Sequence, residues 1–297
     1  MSDEPRLAGA KKIPLLVTLL VGAALWYLPP PQGVEIRAWH LLAVFVATIV
    51  GLILKPLPMG AVAMCGIIAT LATKTLSVGE ALSGFANATI WLIVVAFLIA
   101  RGFIKTGLSR RIAYGFVALL GKRTLGLGYG LVATDLALAP AIPSNTARAG
   151  GVVFPILLSL SNAYGSEPFD GTARKMGAFL TKVAFQGTLI TSAMFLTAMA
   201  ANPLAAELAA DFGVEVTWGN WALAACVPGL VSLIVVPLVI YLLYPPEIKE
   251  TPAAAKMARD ELAQMGSMKA GEWIMSAAFV MLLVLWIFGR SMGCLLY

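Results

Sequence analysis

Chemistry in this chain is concentrated in the run Pro143-Ser144-Asn145-Thr146-Ala147-Arg148-Ala149-Gly150-Gly151. Ser144, Asn145 and Thr146 bring two hydroxyls and a carboxamide into three consecutive positions, and Arg148 adds a guanidinium two residues on. All of these groups donate hydrogen bonds, so the set suits recognition of an anion. The Asn and hydroxyl groups can orient a carboxylate without adding a competing charge. If Ala147 opens a helix, Ser144, Asn145 and Thr146 occupy its N-cap region, and the first amides of that helix have no intrahelical partner. Those amides and the helix dipole favour an anion at that point. The plainer reading of the same residues is that they cap a buried helix.

Two apolar arms must position this run, Leu125–Ile142 and Val152–Ala163. Gly126, Gly128, Gly130, Pro140 and Pro143 punctuate the first, and Gly150, Gly151 and Pro155 the second. A membrane span needs about 20 apolar residues, and shorter stretches suggest re-entrant segments. The pair reads as a helical hairpin over about 125–163 that enters and leaves on one face, with Ser144-Asn145-Thr146 at its tip. Irregular backbone at membrane depth is tolerated only where protein buries it or it lines a polar cavity. Unwound polar tips near the midplane are where transporters place substrate sites.

Arg148 is costly inside a span, by about 3 kcal/mol or more, and must face a partner or a cavity. It is either a fixed positive charge beside a dianionic substrate or the partner of Asp135, thirteen positions earlier and the sole acid of the hairpin. Lys182, early in the run Met176–Ala200, invites the same reading as a charge partner. That run also carries Gln186, Thr188, Thr191, Ser192 and Thr197, and Ala200-Ala201-Asn202-Pro203 breaks it. Proline removes a backbone donor and disfavours helix at the residue before it. The groups freed near Thr197–Asn202 are expected to face the hairpin tip.

The wider chain is that of a membrane protein. Of 297 residues, 60% are hydrophobic and 12% charged, against about 25% charged in soluble domains, and the mean hydropathy is +0.88. Apolar runs at Ile13–Leu28, Trp39–Leu54, Gly60–Ala72, Ile90–Ile104, Met176–Ala200, Trp218–Tyr244 and Trp273–Phe288 make seven expected spans beside the hairpin. The fold class is therefore an all-α polytopic membrane protein. The first run is taken as a retained helix, since it lacks a small-residue cleavage site.

With the N-terminus in the cytoplasm and the hairpin re-entering from that side, sixteen of the 21 Lys and Arg fall inside. Arg37, Lys74 and Arg290 fall outside, and Arg148 and Lys182 lie at depth. This positive-inside bias sets the topology, with residues 1–12 as a cytoplasmic N-terminus. It also accounts for the net charge of +6 through topology and anionic membrane lipid, with no nucleic acid implied.

Other functions lack their residues. Cys65, Cys226 and Cys294 are isolated, which excludes a disulfide framework or a zinc site. His40 is the sole histidine, placed where an amphipathic ring sits at a membrane interface, with a proton relay as the alternative. No Ser-His or His-Glu constellation exists for a hydrolase, so the chain is not read as an enzyme, and no cofactor is expected. Lys105–Arg123 reads either as an amphipathic interfacial helix or as an extension of the fourth span. Residues 245–271 read as a solvated cytoplasmic connector.

The run "APAIPSNTARAGGVVFPI" and the stretch "TLITSAMFLTAMAANPLA" at Thr188–Ala205 resemble the divalent anion/sodium symporter family. They are most similar to its branch of bacterial dicarboxylate and tricarboxylate exchangers, which includes the 2-oxoglutarate/malate, citrate/succinate and tartrate/succinate translocators. The resemblance runs from about Ile13 to Gly289. It implies di- or tricarboxylate transport across a bacterial inner membrane, a homodimer, and a substrate site including Ser144, Asn145, Thr146, Arg148, Thr197 and Asn202. In such exchangers fixed cations take the place of bound sodium, and Pro140 lacks the side-chain oxygen a cation site would want. Na+ coupling and a non-transporting fragment are the alternatives. Family members hold two inverted repeats, each with a hairpin. Here residues 13–244 correspond to the first repeat and 272–297 to the start of the second, with no second Ser-Asn-Thr run and an atypical tail Gly289–Tyr297. The expectation is a C-terminally truncated chain that holds one side of the site.

Overall fold

The computed structural model describes residues 9–288. Arg6, Arg290, Cys294 and the tail Gly289–Tyr297 lie outside the described residues. The chain forms two compact units that divide after Ile90, and its regular structure among the described residues is helical.

The first unit holds α1 (Lys12–Tyr27), α2 (Ile36–Leu54), α3 (Met59–Ala72) and the short α4 (Val78–Leu82). Small residues let the first three helices pack closely. A Cβ on Gly22 would lie 2.9 Å from that of Ala47, and one on Gly51 would lie 2.8 Å from Val62 Cγ1. Ser77 and Glu80 form a capping box at the start of α4, and Arg37 pairs with Glu80 at 3.0 Å. His40 stacks on Trp26 with ring centres 3.7 Å apart. Cys65 and Cys226 are free.

Helix α5 (Ala88–Thr106) leads into the second unit, which contains α6 (Leu108–Leu120), α7 (Thr124–Leu138), α8 (Asn145–Arg148), α9 (Phe154–Ala163), α10 (Gly177–Met194), α11 (Ala201–Ala210), α12 (Trp218–Leu243), α13 (Pro252–Met265) and α14 (Ala270–Phe288). Six of the seven expected apolar runs each correspond to one helix. Four helices (α2, α5, α12 and α14) are long and apolar enough to cross a membrane, whereas α1, α3 and α7 are shorter. With 14 residues, α3 reaches about 21 Å at 1.5 Å per residue, short of a full hydrocarbon core. Leu223 and Leu243 of α12 are 77% and 80% exposed, as suits side chains that meet lipid tails. By contrast α7 is buried on several sides, through Leu127, Leu131, Thr134, Asp135 and Leu138.

Three boundaries differ from the sequence expectation. The run Met176–Ala200 is not one helix: α10 stops at Met194, Phe195 is extended, and a single 3-10 turn spans Leu196–Ala198. Pro203 does not make this break. It lies in the first turn of α11, where a missing N–H leaves no bond unmade. Second, the arm after the hairpin tip begins at Asn145 rather than Ala147 and passes through a π turn, Ala149–Val153, before α9. Third, α6 is separated from α5 by Gly107 at φ +85°, so it does not extend the fourth span. Its apolar face packs on α7 and α13.

The connector is also more than a solvated link. Extended backbone at 247–251 lies beside three other segments. Thr124 N–H donates to Lys249 O (3.0 Å) and Thr251 N–H to Lys122 O (2.8 Å), and Thr251 Oγ1 donates to Gly121 O (2.9 Å). Ala254 N–H donates to Tyr164 Oη at 3.1 Å. Glu247 and Ile248 N–H groups donate to Arg174 O and Lys175 O. Thr124 opens the first hairpin arm and Tyr164 closes the second, so one short connector holds both feet of the hairpin. Both arms start from the same end of the unit.

Candidate functional site

The tip is built from two broken helix ends. Arm α7 ends at Leu138, and the Pro140 and Pro143 rings prevent it from continuing. Ser144 then caps α8, its Oγ accepting from Ala147 N–H at 3.2 Å, while Asn145 Oδ1 accepts from Thr146 N–H at 3.0 Å. These caps leave other donors open. The Asn145 N–H and Nδ2 and the Ser144 and Thr146 hydroxyl protons have no partner among the described residues. Thr146 is exposed, and Ser144 and Asn145 are half-buried. The tip therefore presents uncharged donors at a helix start, an arrangement that can receive a carboxylate.

Behind the tip, Arg148 is fully buried. Its Nε donates to Asp135 Oδ1 at 3.2 Å, one Nη to the carbonyls of Ile142 and Ala198 at 2.6 Å each, and the other to Ser192 Oγ at 2.8 Å. Asp135 Oδ2 accepts from Thr188 Oγ1 at 3.0 Å and from Thr191 Oγ1. A guanidinium is suited to this task, because its planar fork can serve several acceptors at once. The group ties together the end of arm α7, the start of arm α8 and the broken end of α10. Of the two readings of Arg148, the geometry has the ion pair with Asp135, and no face of the guanidinium is turned to the tip.

The break after α10 is held by equally inward contacts. Thr197 Oγ1 donates to Pro140 O at 2.8 Å and accepts from Trp218 Nε1 at 3.0 Å. Asn202 Nδ2 donates to Ser192 O and Phe195 O at 2.8 and 3.0 Å, satisfying carbonyls that the end of α10 leaves free. Trp218 in turn stacks between Phe195 and Trp286.

The six expected substrate residues thus divide. Ser144, Asn145 and Thr146 are open at the tip, whereas Arg148, Thr197 and Asn202 are buried and hydrogen-bonded in ways that hold its shape. Lys182 does not join them. It lies six residues before Thr188, about 9 Å along the helix, is exposed, and places Nζ 4.9 Å from the Tyr244 ring centre. Gln186 is also exposed on the outside of α10. Thr188, Thr191 and Ser192 are drawn in by Asp135 and Arg148, and their spacing of three and four on one helix face carried that signal. Trp218 was missed, since a Trp at the start of a span reads as an interfacial anchor.

Comparison with known proteins shows the family. Over 290 residues the chain is 62% identical to the putative malate transporter YflS of Bacillus subtilis, covering 97% of this chain and 61% of that protein. It is 53% identical to the chloroplastic dicarboxylate transporter 1 of Spinacia oleracea, covering 96% of this chain and 50% of that one. To the inner membrane protein YbhI of Escherichia coli it is 43% identical, covering 94% and 60%. The chain thus spans between half and about three-fifths of these relatives' lengths. The family described as the sodium:sulfate symporter transmembrane region matches residues 10–295. With that match, and the hairpin and broken helix in place, the chain belongs to this family, that of the divalent anion/sodium symporters, whose members are membrane transport proteins and not enzymes.

Proposed function

We propose that this chain forms one wall of the substrate site of a C4-dicarboxylate transporter that works by anion exchange. The observation that carries the reading is the division at the tip, with uncharged donors of Ser144, Asn145 and Thr146 open in front and the carbonyls behind already occupied. A dicarboxylate such as malate, named for the Bacillus relative, would place one carboxylate on the Asn145 N–H, the Asn145 carboxamide and the neighbouring hydroxyls. A sodium ion at the same place would need oxygen ligands. The obvious ones, Pro140 O, Ile142 O and Ala198 O, instead accept from Thr197 and Arg148. This supports exchange without sodium over symport, although the family description itself names sodium symporters.

The opposing wall, in this reading, comes from sequence matching the remainder of the relatives' length, in a homodimer of the bacterial inner membrane with the N-terminus in the cytoplasm. Residues 13–244 act as the first repeat, 245–271 as the cytoplasmic connector and 272 onward as the second repeat. The test is malate counterflow in proteoliposomes holding a polypeptide of the relatives' length. Uptake is expected in sodium-free buffer, and Asn145→Ala should lower it about ten- to a hundredfold, as for a lost hydrogen bond to a charged group. An absolute sodium requirement would favour the symporter, and unchanged uptake in Asn145→Ala would remove the tip from the site.

A further inference from the structure

A second site lies on the outside of α10, away from the hairpin tip. Lys182, Gln186, Val236, Val239 and Ile240 line a groove of about 370 Å³ between α10 and α12. The groove is apolar on its α12 side and cationic at the end nearer the connector. There Tyr244, the residue that ends α12, has the Lys182 Nζ 4.9 Å and the Arg174 Cζ 4.7 Å from its ring centre.

Two features make this more than a pair of surface cations. Neither Lys182 nor Arg174 has a carboxylate within ion-pairing distance among the described residues. Glu247, whose N–H bonds the Arg174 carbonyl at 3.1 Å, does not bring its side chain to either charge. Two like charges are thus gathered on one aromatic ring with no carboxylate of the described residues to balance them. Their depth is also set: Lys182 starts five residues into α10, about 7.5 Å along it, and its stem runs back toward the helix end, as lysines do to bring the ammonium to a membrane interface. Arg174 and Tyr244 stand at that end, level with the connector.

We propose that this groove binds an anionic phospholipid, its phosphate between Lys182 and Arg174 and one acyl chain against Val236, Val239 and Ile240. Phosphate supplies the missing charge, and the apolar wall directly below it fits a lipid better than a soluble anion. The site rests on the α10–α12 packing and the turn before α10 that carries Arg174, and does not depend on the transported substrate.

The test uses the purified, delipidated chain in detergent. Phosphatidylglycerol, phosphatidylcholine of the same acyl chains, and inorganic phosphate are titrated separately, with bound lipid read by native mass spectrometry. Phosphatidylglycerol should bind and the other two should not compete with it. A basic residue near an anionic headgroup contributes enough that Lys182→Gln or Arg174→Gln should weaken binding about fivefold, and the two together about thirtyfold. Lys182→Arg should retain it, whereas Val239→Trp, which fills the groove and leaves both charges, should weaken it. Equal binding of phosphatidylcholine, displacement by phosphate alone, or unchanged binding in the double variant or in Val239→Trp would each overturn the proposal.

Discussion

Removal of the Arg148 guanidinium tests the tertiary logic of the hairpin directly. Arg148→Met keeps much of the stem volume but leaves Asp135 without its cation and the Ile142 and Ala198 carbonyls without donors. Taking one partner from a buried ion pair destabilises by about 3–5 kcal/mol. Asp135 keeps the hydroxyls of Thr188 and Thr191, which places the expected loss at the lower end of that range. Near 2–4 °C per kcal/mol for a unit of this size, the unfolding temperature should fall by roughly 6–12 °C. Asp135→Leu strands the guanidinium instead and should fall in the same range. The double variant removes both charges together, so its loss should be smaller than the sum of the two by about 2 kcal/mol. It should not return to wild type, because the two carbonyls and the Thr188 hydroxyl still lack partners, while Thr191 keeps its bond to Thr188 O. Unfolding of purified protein in detergent, followed by circular dichroism, measures all four forms. Strict additivity, or an Arg148→Met unfolding temperature within about 2 °C of wild type, would refute the buried tie.

Three further outcomes are expected. Single cysteines at Leu125 and Tyr164 should label from the same membrane face, together with Lys122 and Lys256 and opposite Asp211; labelling of the two hairpin feet from opposite faces would make the hairpin an ordinary span. Trp218→Phe keeps the ring between Phe195 and Trp286 but removes the indole N–H from Thr197, so stability should drop by about 0.5–1.5 kcal/mol, and an unchanged unfolding temperature would show the bond to be idle. The 297-residue chain on its own should show no saturable dicarboxylate counterflow in proteoliposomes, since the tip offers donors from one side. Robust uptake abolished by Asn145→Ala would instead point to an assembly of identical copies.

Sequence alone determined the class of this protein, most of its apolar helices and the location of the tip. Those features depend on local quantities: the length of apolar runs, the spacing of Gly and Pro, and a cluster of short polar side chains. The Ser-Asn-Thr tip was legible because a capping residue is chosen by the backbone within three positions of it. What the sequence left open was set by contacts between residues far apart in the chain. Arg148 had two admissible partners until the fold brought Asp135, Ser192 and the Ala198 carbonyl around it. Lys182 and Thr188 share one helix, yet only Thr188 turns toward the hairpin, because six residues at about 100° each place them roughly 120° apart around it. The end of α10 was displaced from Asn202-Pro203 to Phe195 because Thr197 and Asn202 spend their side chains on Pro140, Ser192 and Phe195 carbonyls, bonds that exist only once the hairpin is packed beside the break. A local code can place a donor. Whether that donor meets a ligand or a buried carbonyl is decided by the tertiary fold, since an unpaired polar group in an apolar interior is too costly to leave.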